Sequence, residues 1–147
     1  MLYHRAQGYW ADRLEYVKSE LQREILQAIA DGCTHFISGF AEGVDLLFTS
    51  IVTDPATENP VLTLEAAISR DRIKTIGARF HRLLAKCSVV GFHSEAYGLS
   101  CLIKCNRFMI LQAQRVIVIC DGREKGETFF TMRYAYSRKR DVWLITI

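Results

Sequence analysis

A glycine-containing turn lies between an apolar run and a helical pattern in the first third of the chain. Gly39 and Gly43 are the ends of a five-residue segment, and Asp45 follows within the first turn of the next predicted helix. Glycines let backbone N–H groups approach a ligand closely, and the helix directs its positive end to the same place, so a phosphate would fit here. Asp45 would favour the helix dipole or hold a ribose hydroxyl. The spacing Gly-x-x-x-Gly falls short of the dinucleotide fingerprint, so a plain corner between a strand and a helix stays an equal alternative.

A second turn of this kind follows the most apolar strand pattern of the chain. Asp121 and Gly122 end that strand, and Gly126 and Thr128 open the next helical pattern. The sequence predicts Thr128 as the N-cap, with its hydroxyl facing the same crevice as the first turn. A capped corner without a ligand is the structural alternative.

Two further segments carry groups that could hold an anion. Asn106 and Arg107 lie within a predicted helix, where Arg107 is a candidate clamp for a phosphate. An arginine on a helix is more often solvated or salt-bridged at the surface. His4 and Arg5 precede the first helix, and taken in isolation they read as a disordered tail.

Ten segments with regular hydrophobic patterns must position these residues. The predicted helices are Asp12–Ala30, Val44–Val52, Asp71–Lys86, Leu99–Gln112 and Thr128–Arg138. The predicted strands are His35–Ser38, Val61–Ile68, Cys87–Phe92, Arg115–Cys120 and Val142–Ile147. Because helices and continuously apolar strands alternate, we expect one α/β domain over residues 1–147, a three-layer, doubly wound, mainly parallel sheet. Such sheets bind ligands outside the carboxyl ends of their strands.

The composition is that of an ordinary globular domain. Half of the 147 residues are hydrophobic, and the formal net charge of +3 is too small to imply nucleic acid by itself. Five cysteines without a repeated spacing, and the absence of a secretory leader, favour a reducing cytoplasm, buried thiols and no metal site. No apolar run approaches the roughly 20 residues of a membrane span.

Several segments, in this order, resemble the YpsA-like branch of the SLOG superfamily. They are "YHRAQGY", "THFISGFAEGVD", "LEAAI", "CNRFM", "VIVICDG" and "GETFFTMRYA", of which "HFISGxAxGVD" is the most specific. The resemblance covers essentially the whole chain. It implies a Rossmann-like fold and a nucleotide or nucleotide-derived ligand, with no required cofactor. The motif positions of the family are matched by Arg5, Gly39, Ala41, Gly43, Asp45, Asn106, Arg107, Asp121, Gly122, Gly126 and Thr128.

The chain also departs from the pattern of the family. Only three residues precede His4, so the first strand of the family is expected to be clipped or missing. Loss of a central strand exposes sheet edges, so either the strand is residual, an upstream start was missed, or another chain covers the gap. Glu127 replaces the second glycine of a Gly-Gly-Thr motif and would repel an anion at close range. Because domains of this superfamily often self-associate, we expect a homodimer.

Three functions are compatible with these features. The first is a nucleotide-binding module without established catalysis, and no catalytic residue is assigned. The second is a phosphoribohydrolase that cleaves the N-glycosidic bond of a nucleoside monophosphate, for which Glu127 and Asp45 are the available carboxylates. The third is a protein that binds single-stranded DNA or a partner, in the manner of the relative DprA, through the basic and tyrosine-containing segment 133–140. A charge run near a helix end is more often solvated, so nucleic acid is not favoured.

Overall fold

A computed structural model describes residues 7–40, 44–54, 61–69, 77–93 and 99–147. Within these ranges the chain is a mixed α/β protein with parallel strands, as predicted. The helices are α1 (Gln7–Ala30), α2 (Val44–Val52), α3 (Ala78–Leu84), α4 (Leu99–Gln112) and α5 (Glu127–Ser137). The strands are β1 (His35–Ser38), β2 (Thr63–Ser69), β3 (Val89–His93), β4 (Arg115–Cys120) and β5 (Asp141–Thr146).

Four predicted elements have the predicted bounds, namely β1, α2, α4 and β4. The other strands and α5 are shifted by one or two residues at their ends. Helix α1 begins at Gln7, five residues before the predicted start. Helix α3 is shorter than its prediction, part of which falls on residues 71–76, outside the described ranges.

The described strands form two sheets where the sequence predicts one. Strands β1, β2 and β3 pair in that order, all parallel, and β4 pairs in parallel with β5. Phe36 lies opposite Leu64 in the first sheet, and Val118 lies opposite Leu144 in the second. Strands β1 and β4 are therefore edge strands among the strands described.

Helix α1 joins the two sheets through a shared hydrophobic core. Val17, Leu21, Ile25 and Ala28 recur at helical spacing and are all buried. They belong to the same cluster as residues of α2 and of both sheets, which are Phe36, Ile51, Val52, Leu64, Ile119 and Ile145. Burial of such side chains stabilises the fold by roughly 1.5–3 kcal/mol each. The two sheets are thus joined by side-chain packing against a helix.

Gly32 ends α1 in the left-handed conformation that the sequence predicts, with φ of 97°. The N–H of Cys33 donates to the carbonyl oxygen of Ala28 at 2.9 Å, and that of Gly32 donates to Ile29 at 3.0 Å. This is the bonding of a Schellman motif, which satisfies carbonyls at the end of a helix. It fixes the point at which the chain enters β1.

In the described ranges, no helix combines the length and apolar character required to cross a bilayer.

Candidate functional site

A cavity of about 350 Å³ runs along the facing edges of β1 and β4. A cavity over one face of a sheet would touch alternate residues of a strand. Every residue from Cys33 to Gly39 and from Ala113 to Ile119 lines this one. It therefore follows the backbone edges of the two strands, and we call it the interstrand cavity.

Residues of four helices also line the interstrand cavity. Helix α1 contributes the apolar Leu21 and Ala28, and helix α4 contributes Met109 and Ile110 together with the polar Asn106 and Gln112. Polar side chains lie at the two ends of the cavity, and the two ends carry different chemical groups.

At the carboxyl end of β1, a buried hydroxyl network holds the turn into α2. Thr49 Oγ1 lies 2.8 Å from both Ser38 Oγ and the carbonyl oxygen of Asp45. Ser38 Oγ accepts a hydrogen bond from the N–H of Phe40 at 3.2 Å. Asp45 is buried in the first turn of α2 and lines the interstrand cavity. The network fixes the first turn of α2 against the end of β1.

Phe40 adopts a conformation that is unusual for a bulky residue, with φ of 56°. Its side chain is almost fully buried and packs edge-on against Phe80, with ring centroids 5.2 Å apart. Ala66 and Ile68 belong to the same hydrophobic cluster. Because a left-handed residue of this size costs about 1–3 kcal/mol, this packing must offset backbone strain at the turn.

Asn106 links α4 to α5 at the same end of the cavity. Its side chain is buried, and Nδ2 donates to Glu127 Oε1 at 2.7 Å. Thr131 Oγ1 is a second acceptor at 3.4 Å. The carboxylate of Glu127, which was expected to face a phosphate, is therefore a partner of a buried amide. Asn106, Thr128 and Thr131 all line the interstrand cavity.

The prediction that Thr128 caps α5 is wrong. The helix begins at Glu127 and its N-cap is Gly126, which has φ of 92° and makes no side-chain capping bond. Glycine takes this conformation without steric cost, and the carboxylate of Glu127 in the first turn suits the helix dipole. Thr128 is therefore the second residue of the helix, and it still lines the cavity.

The structure brings together four of the residues predicted from the sequence, namely Gly39, Asp45, Asn106 and Thr128. Gly122 and Gly126 have positive φ in the loop before α5, but they do not line the cavity. Arg5, Ala41 and Gly43 lie outside the described residues.

Two predicted polar residues make contacts away from the cavity. Arg107 lies over the ring of Tyr134, 5.2 Å from its centroid. Asp121 forms an ion pair with Arg123 on the loop after β4, and hydrogen bonds from Arg123 lower the pKa of that carboxyl. Neither is a wall residue of the interstrand cavity.

Arg115 lies at the amino end of the interstrand cavity, where it contacts two carboxylates and an indole ring. Its guanidinium lies 2.9 Å from Asp31 Oδ2 and 3.0 Å from Asp141 Oδ2, and it stacks on Trp143 at 3.8 Å from the ring centroid. Burial acts to lower the pKa of Arg115, but the hydrogen bonds to Asp141 and Asp31 outweigh it and raise that pKa. Hydrogen bonds from Gln27 and then Arg115 lower the pKa of Asp31. Among the described residues, Arg115 Nη1 is a buried donor without a hydrogen-bond partner.

Sequence reasoning missed Ser38, Thr49 and Arg115. Ser38 and Thr49 had a signal, because a serine directly before the glycine turn and a threonine one helical turn after Asp45 can both bond to that corner. Arg115 had no such signal, since its partners lie directly after α1 and in β5 and are distant in sequence.

The described residues contain no group of three or more His, Cys, Asp or Glu side chains placed to hold a metal ion. Cys33, Cys87, Cys105 and Cys120 form no disulfide bond. Burial raises the pKa of the Cys87 thiol to about 11. Comparison with known proteins found no family model that matches the chain, and no match among curated proteins.

Proposed function

We propose that this chain is a Rossmann-like, doubly wound domain of the SLOG superfamily, in its YpsA-like branch, and that it binds a nucleotide or nucleotide-derived ligand. The observation that carries the proposal is the convergence of Gly39, Asp45, Asn106 and Thr128 on one cavity. These residues come from three separate sequence motifs. Ligand sites of α/β proteins lie at the carboxyl ends of strands, and the cavity volume falls within the usual range of small-molecule sites.

The groups at this end suit a ligand with both hydrogen-bonding and anionic parts. The first turns of α2 and α5 supply N–H groups and a positive dipole, and Thr128 supplies a hydroxyl. Asp45 would accept a hydrogen bond from a sugar hydroxyl. Among the described residues, no lysine or arginine lines this end of the cavity, so in this proposal helix dipoles and N–H groups carry the recognition of the phosphate.

The two alternative functions have less support. A phosphoribohydrolase needs a carboxylate free to act on the sugar, but Glu127 accepts a bond from Asn106, and Asp45 is buried and has a partner of its own. A single-stranded DNA site would use several exposed rings for stacking, and of the two tyrosines in segment 133–140 only Tyr136 is exposed, whereas Arg107 and Arg138 lie over Tyr134. The resemblance also predicts a homodimer, which light scattering would measure directly.

The test is a thermal-shift screen against AMP, ADP, ATP, GMP, NAD, ADP-ribose and cyclic dinucleotides. A ligand at about 100 times its dissociation constant stabilises the fold by roughly 2.7 kcal/mol, which raises Tm by several degrees. Each nucleotide that raises Tm is then assayed for hydrolysis, which separates binding from catalysis. If no compound raises Tm, the proposal is wrong.

Thr128→Asp and Thr128→Asn form a matched pair of variants for this screen. A carboxylate in the first turn of α5 is favourable for the helix, so the Asp variant keeps its fold. The same carboxylate repels a phosphate, so we expect the Asp variant to lose the ligand-induced shift and the Asn variant to keep most of it. Equal shifts in both variants would contradict a phosphate at this end of the cavity.

A further inference from the structure

Helix α5 presents two hydrogen-bond acceptors to α4 at the carboxyl end of the interstrand cavity. Glu127 and Thr131 are four residues apart in α5, so their side chains lie one above the other on the same face of the helix. Asn106 of α4 contacts both, with Nδ2 at 2.7 Å from Glu127 Oε1 and at 3.4 Å from Thr131 Oγ1. The two groups of α5 thus surround one end of a single side-chain amide.

The carboxylate of Glu127 determines the orientation of the Asn106 amide. An asparagine side chain has a donor end, Nδ2, and an acceptor end, Oδ1, and the two ends have nearly the same shape. A carboxylate only accepts hydrogen bonds, so Oδ1 in the place of Nδ2 would face a negative charge. Asn106 is only 3% exposed, and such a repulsion is strong where water is excluded. Glu127 therefore holds Nδ2 towards α5.

As a result, Asn106 offers an acceptor and not a donor to an occupant of the cavity. Nδ2 carries two protons, and Glu127 and Thr131 supply an acceptor for each of them. Asn106 also lines the interstrand cavity, so a polar group that reaches its amide from there meets Oδ1. Phosphate oxygens are strong acceptors, whereas sugar hydroxyls and base amino groups can donate. A nucleotide would therefore turn its sugar or its base towards Asn106, and not its phosphate.

The start of α5 offers the opposite kind of group close by. Thr128 is in the first turn of α5, where backbone N–H groups and the helix dipole favour an anion. The bond from Asn106 also directs Glu127 Oε1 to α4, so the carboxylate that would repel a phosphate is engaged by the amide. Thr128 and Asn106 would thus contact different parts of one nucleotide.

We propose that Glu127 is a positioning residue that fixes Asn106 as a hydrogen-bond acceptor, and that Asn106 thereby selects ligands that present a sugar hydroxyl or a base amino group to it. The selection of the ligand rests on the proposed nucleotide function, whereas the orientation of the amide does not. Glutamine at position 127 would offer both a donor and an acceptor, so both orientations of Asn106 become available in Glu127→Gln.

The first experiment measures the orientation of Asn106 in the full chain without ligand. Two-dimensional ¹H–¹⁵N NMR resolves the two Nδ2 protons of Asn106, and we expect both to show an NOE to the methyl group of Thr131 and slow exchange with water. In Glu127→Gln, we expect their resonances to move and their exchange to become at least tenfold faster. Glu124→Gln is the control, because it makes the same change at an exposed residue before α5 and should leave both protons unchanged.

The second experiment measures the selection with AMP, which is also contained in ADP, ATP, NAD and ADP-ribose. 2′-Deoxy-AMP and 3′-deoxy-AMP each lack one sugar hydroxyl, and purine riboside monophosphate lacks the base amino group. An NMR titration should show that AMP moves the Nδ2 resonances of Asn106. We expect one analogue to bind at least about tenfold more weakly than AMP, because it leaves a buried acceptor without its donor. That analogue identifies the donor, and its deficit should fall below threefold in Glu127→Gln.

Three outcomes would overturn the proposal, and they are distinguishable. Unchanged Asn106 protons in Glu127→Gln would mean that Glu127 does not orient the amide. Equal affinity of AMP and all three analogues would mean that Asn106 selects no donor, while the nucleotide function itself would stand. Absence of binding by every nucleotide of the thermal-shift screen would refute the proposed function and, with it, the selection of the ligand, whatever the orientation measured without ligand.

Discussion

An arginine between two carboxylates lies at the amino end of the interstrand cavity, whereas hydroxyl, amide and backbone groups and the carboxylate of Asp45 form its carboxyl end. Arg115 lies between two carboxylates and over an indole ring, so its position is fixed by three groups, one directly after α1 and two in β5. Ser38, Asn106 and Thr128 at the other end are uncharged. The difference indicates that the first end serves to hold the sheets together and the second offers groups to a ligand.

The largest effect is expected at Phe40, beside the carboxyl end. Phe40→Ala removes a buried ring from its contact with Phe80 and should lower the free energy of unfolding by about 3–5 kcal/mol. Phe40→Gly removes one atom more, but glycine adopts φ of 56° without strain. We therefore expect the Gly variant to be about 0.5–1 kcal/mol more stable than the Ala variant. Urea denaturation of both variants measures the difference, and the opposite order would contradict strain at this turn.

The second-largest loss of stability is expected from the hydroxyl network at the carboxyl end of the cavity. Thr49→Val keeps the shape of a fully buried side chain but removes the group that contacts Ser38 and the Asp45 carbonyl. Ser38 and the Asp45 carbonyl remain bonded to each other, so the variant loses the two contacts of the Thr49 hydroxyl, at about 0.5–1.5 kcal/mol each, and the unfolding midpoint should fall accordingly. Ser137→Ala, at an exposed hydroxyl near the end of α5, is the control and should change stability by less than about 0.5 kcal/mol.

A substitution at the amino end of the cavity should cause a smaller loss of stability. Arg115→Met retains the long apolar stem but removes the cation from Trp143, which costs about 1–2 kcal/mol when the contact is partly buried. The side chains of its partners Asp31 and Asp141 are 37% and 55% exposed, so the ion pairs themselves add little. Arg123→Met removes an ion pair on an exposed loop, and it should leave Tm nearly unchanged. Equal losses in the two variants would remove the distinction between the amino end and the surface.

The smallest expected effect is the loss of thermal stability at low pH. The pKa values of Asp31 and Asp121 are lowered in the folded chain by hydrogen bonds that their carboxylates accept. A carboxyl whose pKa is lower in the folded state stabilises the fold above its unfolded pKa of 3.8, and that stability is lost as the pH falls through the folded pKa. We expect Tm to decline below about pH 4, and less steeply in Arg115→Met. An identical slope in that variant would contradict the contribution of Arg115.

The elements that position the site could be predicted from the sequence more fully than the pairing between them. Strand β4 is a continuous apolar run, and α4 has a long periodic pattern, so both bounds are correct. Helix α1 was predicted to begin at Asp12, but it begins five residues earlier. The prediction missed this start because residues 7–11 carry no cap or proline signal that could mark it.

The glycine turn and Asn106 were found because each belongs to a local motif. The division into two sheets could not be predicted, because strand pairing depends on contacts between distant residues and on which edges meet. The bond between Asn106 and Glu127 joins two helices in the same way, and neither residue type indicates it alone. When a charged or amide side chain bonds to a residue that is distant in sequence, the local sequence pattern does not predict the contact.

The packing of α1 against both sheets has a consequence for folding. Strands β4 and β5 pair across a single helix, as do β1 and β2, so each ladder closes from nearby parts of the chain. The long-range step is then the closure of the core around α1, whose buried side chains pack with residues of β1, β2, β4 and β5. Each ladder can form early and the core of α1 late, so truncations such as Ile25→Ala would mainly speed unfolding, and truncations within one ladder would mainly slow folding.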